Sequence, residues 1–292
     1  MNILLLDSLH INEGFYKSIK EDLFRKGHIF DFEKDENITY NILIFNPNNH
    51  TLNEIKEYVH LSFAVSSDVL SEDFRTYFLN NNIAYKEYEF FDVPSIAELN
   101  LTLLLSSLRL VLSENESVKE SFVRTGNHGF LLKDKCVGLL YQNEVGLYTE
   151  KLLQAFGASA IYFYDKDHCY NEKYTSFADF LKEIDVLIAS GKETKFDNKL
   201  LNRDTITYAK KNLVFINTTR PVFEEEVLKH ALINNQIRYA AIDCLDEADL
   251  CVSELCEAPN LLLTNQIESF TEENIKEKAA QIFKCIYDYL DL

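Results

Sequence analysis

The sequence has few residues that interrupt regular structure: its 292 residues include 4 prolines and 8 glycines. No stretch rich in either residue marks a linker or a low-complexity tail, and no internal repeat is present. Hydrophobic residues make up 47% of the chain and aromatic residues 13%, which is typical of a folded protein rather than a disordered one. A chain of this length is expected to form two domains, each with its own core.

Long apolar runs are also missing, so no segment is predicted to cross a bilayer. The apolar start of the chain is short, and Asp7 follows it without a preceding basic region, which argues against a signal sequence and predicts a cytoplasmic protein. The six cysteines have no metal-ligand spacing, and Cys251 and Cys256 form a lone pair without a nearby histidine. They are predicted to be buried reduced thiols, and no metal is expected.

Positive charge is scarce. The chain has 29 Lys and Arg against 47 Asp and Glu, a net charge of −18, and the basic residues are scattered. Such a field repels phosphate backbones and anionic membranes, so neither nucleic acid nor a membrane is expected as a partner. An anionic ligand would need a concentrated local cation, for which Arg220 is the candidate.

Short apolar runs alternate with amphipathic stretches throughout, which predicts an α/β protein with two doubly wound parallel sheets. The predicted strands cover residues 2–7, 41–45, 61–65, 83–85, 136–141, 160–164, 186–189, 213–217, 239–243 and 261–263. The predicted helices cover residues 15–25, 52–59, 71–81, 95–113, 145–156, 176–184, 199–209, 224–234 and 272–290. The helix at 95–113 is apolar on most of its circumference, which favours a position between domains or at a subunit contact.

A dinucleotide would lie at the carboxyl ends of the second sheet, where a Gly-x-Gly-x-x-Gly turn normally admits the pyrophosphate. The corresponding stretch reads Tyr-Gln-Asn-Glu-Val-Gly, so Tyr141 and Asn143 replace the first two glycines and only Gly146 is in place. Glu144 adds a negative charge next to Val145, which makes the usual pyrophosphate pose doubtful. Asp165 suits a ribose hydroxyl, although a turn residue at a strand end is an equally good interpretation.

The order of several short motifs resembles the D-isomer-specific 2-hydroxyacid dehydrogenases, a family that includes D-lactate, formate and phosphoglycerate dehydrogenases. The motifs are Ser-Ile-Ala-Glu-Leu at 95–99, Lys-Cys-Val-Gly-Leu-Leu at 135–140, Ala-Phe-Gly-Ala at 155–158, Phe-Ile-Asn-Thr-Thr-Arg at 215–220, Ala-Ala-Ile-Asp at 240–243 and Ala-Pro-Asn-Leu-Leu-Leu-Thr at 258–264. The resemblance implies a Rossmann-type nucleotide domain at 95–267, inserted in a flavodoxin-like substrate domain at 1–94 plus 268–292. It also implies NAD or NADP as cofactor and a homodimer formed through the nucleotide domains.

The family transfers a hydride to a 2-keto acid with an Arg, a His general acid and a Glu that orients the His. By resemblance, Arg220 matches the Arg, while Gln266 stands at the His position and cannot release a proton near neutral pH. The Glu position holds Ala248, and Glu247 lies beside it. The same motifs assign Thr218 and Asp243 to cofactor binding.

The family's substrate-carboxylate loop aligns with Ser67, Asp68 and Val69, where Asp68 would repel an anion. Pro221 replaces a glycine that often follows the catalytic Arg and removes an N–H donor.

These departures leave three hypotheses. The first is a non-catalytic or strongly impaired family member that retains a nucleotide or small-molecule site. The second is an active NAD(P)-dependent oxidoreductase in which Glu247, Tyr141 or His128 replaces the missing acid. The third is a corepressor-like interaction protein.

Overall fold

The computed structural model describes residues 1–88, 92–164, 176–190, 199–218, 220–245 and 247–292, except for the side chains of 247–249. The chain divides into two compact units. Unit 1 comprises Met1–Phe91 and Phe270–Leu292, and unit 2 comprises Asp92–Ser269. The C-terminal segment therefore belongs with the N-terminal unit, and the second unit is inserted between them in sequence.

The described residues alternate between strands and helices along both units. The strands are β1 Asn2–Leu5, β2 Ile29–Asp31, β3 Ile42–Phe45, β4 Phe63–Ser66, β5 Ala84–Glu87, β6 Cys136–Leu140, β7 Ala160–Tyr164, β8 Val186–Ala189, β9 Val214–Asn217, β10 Tyr239–Ile242 and β11 Leu261–Leu263. The helices are α1 Glu13–Arg25, α2 Leu52–Lys56, α3 Glu72–Asn80, α4 Val93–Arg109, α5 Val111–Ser121, α6 Glu144–Ala155, α7 Phe177–Glu183, α8 Glu225–Ile233, α9 Glu247–Val252 and α10 Glu272–Tyr289.

Unit 1 contains a parallel sheet in the order β2-β1-β3-β4-β5. The central strands β3 and β4 are buried at every position because both faces of the sheet are covered. One cover is α10, which buries Ala279, Ile282, Phe283 and Ile286. The order of strands reverses between β1 and β3, and open α/β sheets bind ligands at the carboxyl edge of such a point.

Unit 2 contains a six-stranded parallel sheet in the order β11-β10-β9-β8-β6-β7. Its order reverses between β6 and β8, which places the turn after β6 at the edge where a ligand is expected. The predicted pair of doubly wound parallel sheets, Rossmann-type and flavodoxin-like, is confirmed.

The single helix predicted at 95–113 was wrong. Leu110 has a left-handed backbone (φ 59°), so α4 ends at Arg109 and α5 continues at an angle of 53°. α4 buries eight residues and packs on α6, β9 and β10, whereas α5 buries none. The break therefore separates a core helix of unit 2 from an exposed one.

The helix predicted at 199–209 was also wrong, since only the short 3-10 segment Thr205–Tyr208 forms there. The Asn202 side-chain oxygen accepts hydrogen bonds from the backbone N–H groups of Asp204 (3.0 Å) and Thr205 (3.1 Å). Such bonds offer the backbone an alternative to helical pairing, which explains the failure of the pattern.

Among the described helices, none has by itself the length and hydropathy needed to cross a membrane, although α4 and α5 taken together would pass that test as a bent pair. No group of three or more His, Cys, Asp or Glu side chains arranged to hold a metal ion occurs within the described ranges. The prediction of buried thiols was wrong for Cys251 and Cys256, which are exposed.

Candidate functional site

The turn after β6 forms without the first two glycines of the nucleotide pattern. Tyr141 adopts a left-handed backbone (φ 72°), a conformation that costs energy for a residue with a side chain, and its side chain is 3% exposed. A Cβ atom added to Gly146 would lie 2.5 Å from the Tyr141 carbonyl oxygen. Gly146 is therefore required for close packing between the turn and α6, which is the role of the third glycine in the nucleotide pattern.

The start of α6 is capped by the chain itself. The Asn143 side-chain oxygen accepts a hydrogen bond from the Gly146 N–H at 2.8 Å, so one of the amides that a phosphate could use is already paired. Glu144 is exposed in the first turn and Val145 is fully buried. A carboxylate at this position stabilises the helix by interacting favourably with the helix dipole, but it repels a second anion.

A buried polar cluster lies beneath the carboxyl ends of β8 and β9. Asn100 of α4 is fully buried; its amide nitrogen donates to the Ser190 hydroxyl at 2.8 Å and, more weakly, to Thr149 at 3.4 Å. Its oxygen accepts from the hydroxyl of Thr218 at 2.8 Å. The predicted cofactor residue Thr218 is thus 1% exposed, with its proton committed to Asn100.

Arg220 follows β9 in a turn held by the last residue of that strand. The Asn217 side-chain oxygen accepts from the Val222 N–H at 3.2 Å, and its nitrogen donates to the Arg220 carbonyl at 3.4 Å. The Arg220 side chain is exposed. The turn therefore presents a permanently charged guanidinium at the carboxyl edge of the sheet.

Asp243 shapes the loop that carries Gln266. The Asp243 carboxylate accepts from the N–H groups of Ile267 and Glu268, both at 3.0 Å, while its carbonyl accepts from the Gln266 N–H at 3.0 Å. Burial raises the pKa of Asp243, and these N–H donors oppose the rise. Gln266 itself is exposed with a left-handed backbone (φ 50°).

Arg220, Asp243 and Gln266 follow β9, β10 and β11, which are neighbouring parallel strands. Their carboxyl ends lie at one edge, and the Asp243 N–H donates to the Asn217 carbonyl at 2.9 Å, which joins the ends of β9 and β10. This edge offers a cation and a neutral amide. Neither group exchanges a proton near neutral pH, so both can bind a carbonyl or carboxylate but cannot act as its acid.

The structure places the proposed replacement acids differently. Tyr141 follows β6 and so lies at the carboxyl edge of the same sheet, but it is buried. The His128 carbonyl accepts from Arg238 at 3.1 Å, and Arg238 immediately precedes β10, which places His128 near the opposite, amino edge of the sheet. Asp165 and the side chain of Glu247 lie outside the described residues. Burial raises the pKa of Cys244, next to Asp243, so its thiol stays protonated.

The predicted substrate loop of unit 1 follows β4. Ser67 is buried, Asp68 is partly buried and Val69 is 42% exposed. All four backbone N–H groups from Ser67 to Leu70 have acceptors within unit 1. The acceptors are the Phe45 carbonyl for Ser67 (2.8 Å), the Ser66 hydroxyl for Asp68 (3.4 Å), the Asp68 carboxylate for Val69 (2.7 Å) and the Glu87 carboxylate for Leu70 (2.8 Å).

Comparison with known proteins shows which family the chain belongs to. Residues 101–267, more than half of the chain, match the family model described as D-isomer specific 2-hydroxyacid dehydrogenase, NAD binding domain. The chain belongs to this family. Its members among characterised proteins include a D-specific alpha-keto acid dehydrogenase of Enterococcus faecium, 24% identical over 225 residues, and a glyoxylate reductase of Thermofilum pendens, 28% identical over 193 residues.

These alignments cover 72% and 61% of this chain, and 68% and 57% of the two relatives. A D-3-phosphoglycerate dehydrogenase of Bacillus subtilis is 26% identical over 195 residues, 64% of this chain and 37% of that protein. The chain thus spans between about a third and two thirds of these family relatives.

Solved structures share the fold over nearly the whole chain. A Salmonella D-lactate dehydrogenase superimposes with a TM-score of 0.77 at 15% identity, covering 98% of this chain and 96% of the other. An NAD-dependent formate dehydrogenase of Staphylococcus aureus in complex with NAD superimposes with a TM-score of 0.73 at 20% identity, covering 99% of this chain and 96% of the other. At such identities the likeness establishes the architecture of the 2-hydroxyacid dehydrogenases alone.

The sequence analysis missed the residues of the buried polar cluster that surrounds Thr218. Asn100 was the available signal, because it is an amide in an otherwise leucine-rich helix segment. Ser190 and Thr149 carried no signal, since isolated Ser and Thr residues are common on any surface.

Proposed function

We propose that this chain is a D-2-hydroxyacid dehydrogenase-like protein in which hydride transfer is lost or strongly reduced, and which serves as a small-molecule binding protein. The observation that carries the proposal is Gln266: Asp243 holds its loop in a defined shape, but the side chain it presents is an amide. A positioned general acid usually contributes a factor of about 10² to 10⁴ in rate. The amide can orient a ligand carbonyl without protonating it.

The nucleotide turn supports the same proposal. Tyr141 and Asn143 occupy the positions of the first two glycines, and Asn143 already accepts the Gly146 N–H. A pyrophosphate would have to displace this cap beside the charge of Glu144. We therefore expect NAD and NADP, the cofactors that the family implies, to bind weakly.

Ligand-induced thermal stabilisation tests the proposal directly. A ligand present at 100 times its dissociation constant stabilises a protein by about 2.7 kcal/mol. With NAD, NADH or NADP at 1 mM we expect no resolved rise in the unfolding midpoint, and no oxidation of NADH with glyoxylate or pyruvate. Turnover at ordinary enzyme rates, or a clear shift with any of the three cofactors, would contradict the proposal.

A double variant probes the physical reason. Tyr141→Gly with Asn143→Gly frees the Gly146 N–H and removes the bulk from the turn, so NADH should then raise the midpoint. Asn82→Gly is the control, because Asn82 also has a left-handed backbone (φ 53°) but lies in unit 1. If NADH shifts the unfolding midpoints of the double variant and the control equally, crowding of the turn is not what prevents NADH binding.

We further propose that unit 2 forms a homodimer through α5 and the segment after it. α5 buries none of its side chains, and large apolar residues are exposed along this region. They include Val118 (48% exposed), Phe122 (88%), Val123 (60%) and Leu131 (66%). The first turns of α5 also line a groove of about 340 Å³ through Leu112 and Glu116, together with Tyr239 and Leu261 among others. Several large apolar side chains exposed on one segment favour a protein partner, and a corepressor-like role would use the same segment.

A further inference from the structure

The Asp68 carboxylate is bound in the way that proteins bind a carboxylate ligand. Its Oδ1 accepts from the Val69 N–H at 2.7 Å, and its Oδ2 accepts from the Asn48 side-chain amide at 2.9 Å. Each carboxylate oxygen therefore has its own donor at the short distance typical of charged acceptors. The donors come from two loops, one after β3 and one after β4.

A positive charge of the same unit interacts electrostatically with Asp68. Lys278 of α10 is partly buried; burial lowers the pKa of its ammonium, and the charge of Asp68 counteracts that change. Asp68 thus supplies a nearby counter-charge. A backbone amide and a side-chain amide, each on its own oxygen of one carboxylate, form a pair of donors that recognises carboxylates in general.

The loop is also fixed in the shape that this contact requires. The Ser66 hydroxyl donates to the Asp68 carbonyl at 2.6 Å, and the Leu70 N–H donates to the Glu87 carboxylate at 2.8 Å. Arg75 holds Glu87 in turn, at 3.0 Å. The Val69 N–H therefore stays aimed at Asp68, at the carboxyl edge where parallel sheets bind ligands.

We propose that Asp68 is a built-in ligand: its carboxylate occupies a carboxylate-binding site formed by the Val69 N–H and the Asn48 amide, and so excludes free carboxylates from this loop. A tethered group competes at an effective concentration in the millimolar range or above. A free carboxylate of the same chemistry binds only when the Asp68 side chain is removed. The inference deepens the proposed function, because an occupied loop has no amide to offer a 2-keto acid.

Chemical rescue tests this inference without cofactor or turnover, so its failure and that of the proposed function are separable. Asp68→Ala removes the carboxylate, and sodium acetate replaces it. We expect acetate to raise the unfolding midpoint of Asp68→Ala saturably, with a dissociation constant in the millimolar range, and to shift the Val69 amide resonance. Sodium chloride at equal ionic strength should do neither.

Matched variants separate a binding site from a mere loop contact. The wild type and Asp73→Ala, which loses an exposed carboxylate of the same unit, should show no acetate effect beyond that of chloride. Asn48→Ala combined with Asp68→Ala should weaken acetate binding at least severalfold. The inference is overturned if acetate acts equally on all variants, or if it leaves the Val69 resonance of folded Asp68→Ala unchanged.

Asp68→Asn covers the case in which Asp68→Ala does not fold. Its amide keeps an acceptor for the Val69 N–H but presents a second donor to Asn48, so the contact between the two loops should weaken and acetate should compete for the Val69 N–H. A Val69 resonance that acetate does not move in this variant would equally refute the inference.

Discussion

Glu87 shows how one side chain can fix a loop that the sequence pattern describes only as a strand end. The Glu87 carboxylate accepts from the Leu70 N–H and from Arg75 at 3.0 Å and 3.2 Å. Burial alone would raise the pKa of Glu87, but the hydrogen bonds from Arg75 and Leu70 outweigh it and the pKa lies below the usual value of 4.5. The partners lie twelve and seventeen residues away, beyond the reach of any local pattern.

We predict that Glu87→Gln removes part of the acid sensitivity of unit 1. A depressed pKa in the folded state gives stability that is complete above pH 4.5 and is lost as the pH falls through the folded value. Urea unfolding at pH 7 and pH 3.5 should show a smaller loss of unfolding free energy for Glu87→Gln than for the wild type. The control Glu36→Gln, whose side chain is 85% exposed, should keep the wild-type loss; an unchanged loss in Glu87→Gln would refute the prediction.

Asn100 is fully buried and binds two hydroxyl groups, so its removal should lower the free energy of unfolding of unit 2. Asn100→Ala leaves the Ser190 and Thr218 hydroxyls buried without their partner, and an unsatisfied buried group costs about 1–3 kcal/mol. Urea unfolding should therefore show a loss of at least about 2 kcal/mol. The exposed Asn115→Ala, also in a helix, should cost nothing measurable. Equal stabilities would mean that the buried cluster is easily repacked.

At the scale of elements, the contact between α6 and the turn after β6 depends on the absence of one Cβ atom. Gly146→Ala would place a methyl group 2.5 Å from the Tyr141 carbonyl oxygen, a backbone atom that cannot move without opening the turn. Gly14→Ala, near the start of α1, meets only the Asn12 side chain at 3.3 Å. Alanine favours a helix over glycine by up to about 1 kcal/mol.

Gly146→Ala should therefore lower the unfolding free energy by about 1–3 kcal/mol, the typical cost of overpacking, while Gly14→Ala leaves it unchanged or higher. Thermal unfolding of the two variants in parallel measures the contrast. If Gly146→Ala is as stable as the wild type, the turn after β6 is more adaptable than its contacts indicate, and the crowding argument for weak cofactor binding loses its support.

The limits of sequence patterns are clearest for three segments. The strand β2 was not predicted, because three residues at a sheet edge carry too short a pattern. The sequence pattern does not predict the break at Leu110, because neither Gly nor Pro occurs there. The packing of α4, rather than a local signal, decides where the core helix ends. At 199–209 the spacing of apolar residues predicted a helix, but backbone N–H groups there donate hydrogen bonds to the Asn202 side chain instead.

At the scale of the whole molecule, association through α5 is the prediction that matters most. Phe122→Glu places a charge where the side chain is 88% exposed in the single chain, so it should leave folding intact but disrupt a dimer. Light scattering at micromolar concentration should show a dimer for the wild type and a monomer for Phe122→Glu. Phe24→Glu, 74% exposed in unit 1, is the control and should remain dimeric. A monomeric wild type would contradict the proposed homodimer.

The sequence by itself determined the two parallel sheets and the position of the turn after β6. Apolar periodicity and residue identity are local properties, so they can be read along the chain. Only the tertiary structure decided which amides are still available to a ligand. Asp68 and Asn48 meet because β4 and β3 end at the same sheet edge, whereas Asn100 meets Thr218 because α4 packs on β9. Both hydrogen bonds depend on tertiary packing rather than on distance along the chain.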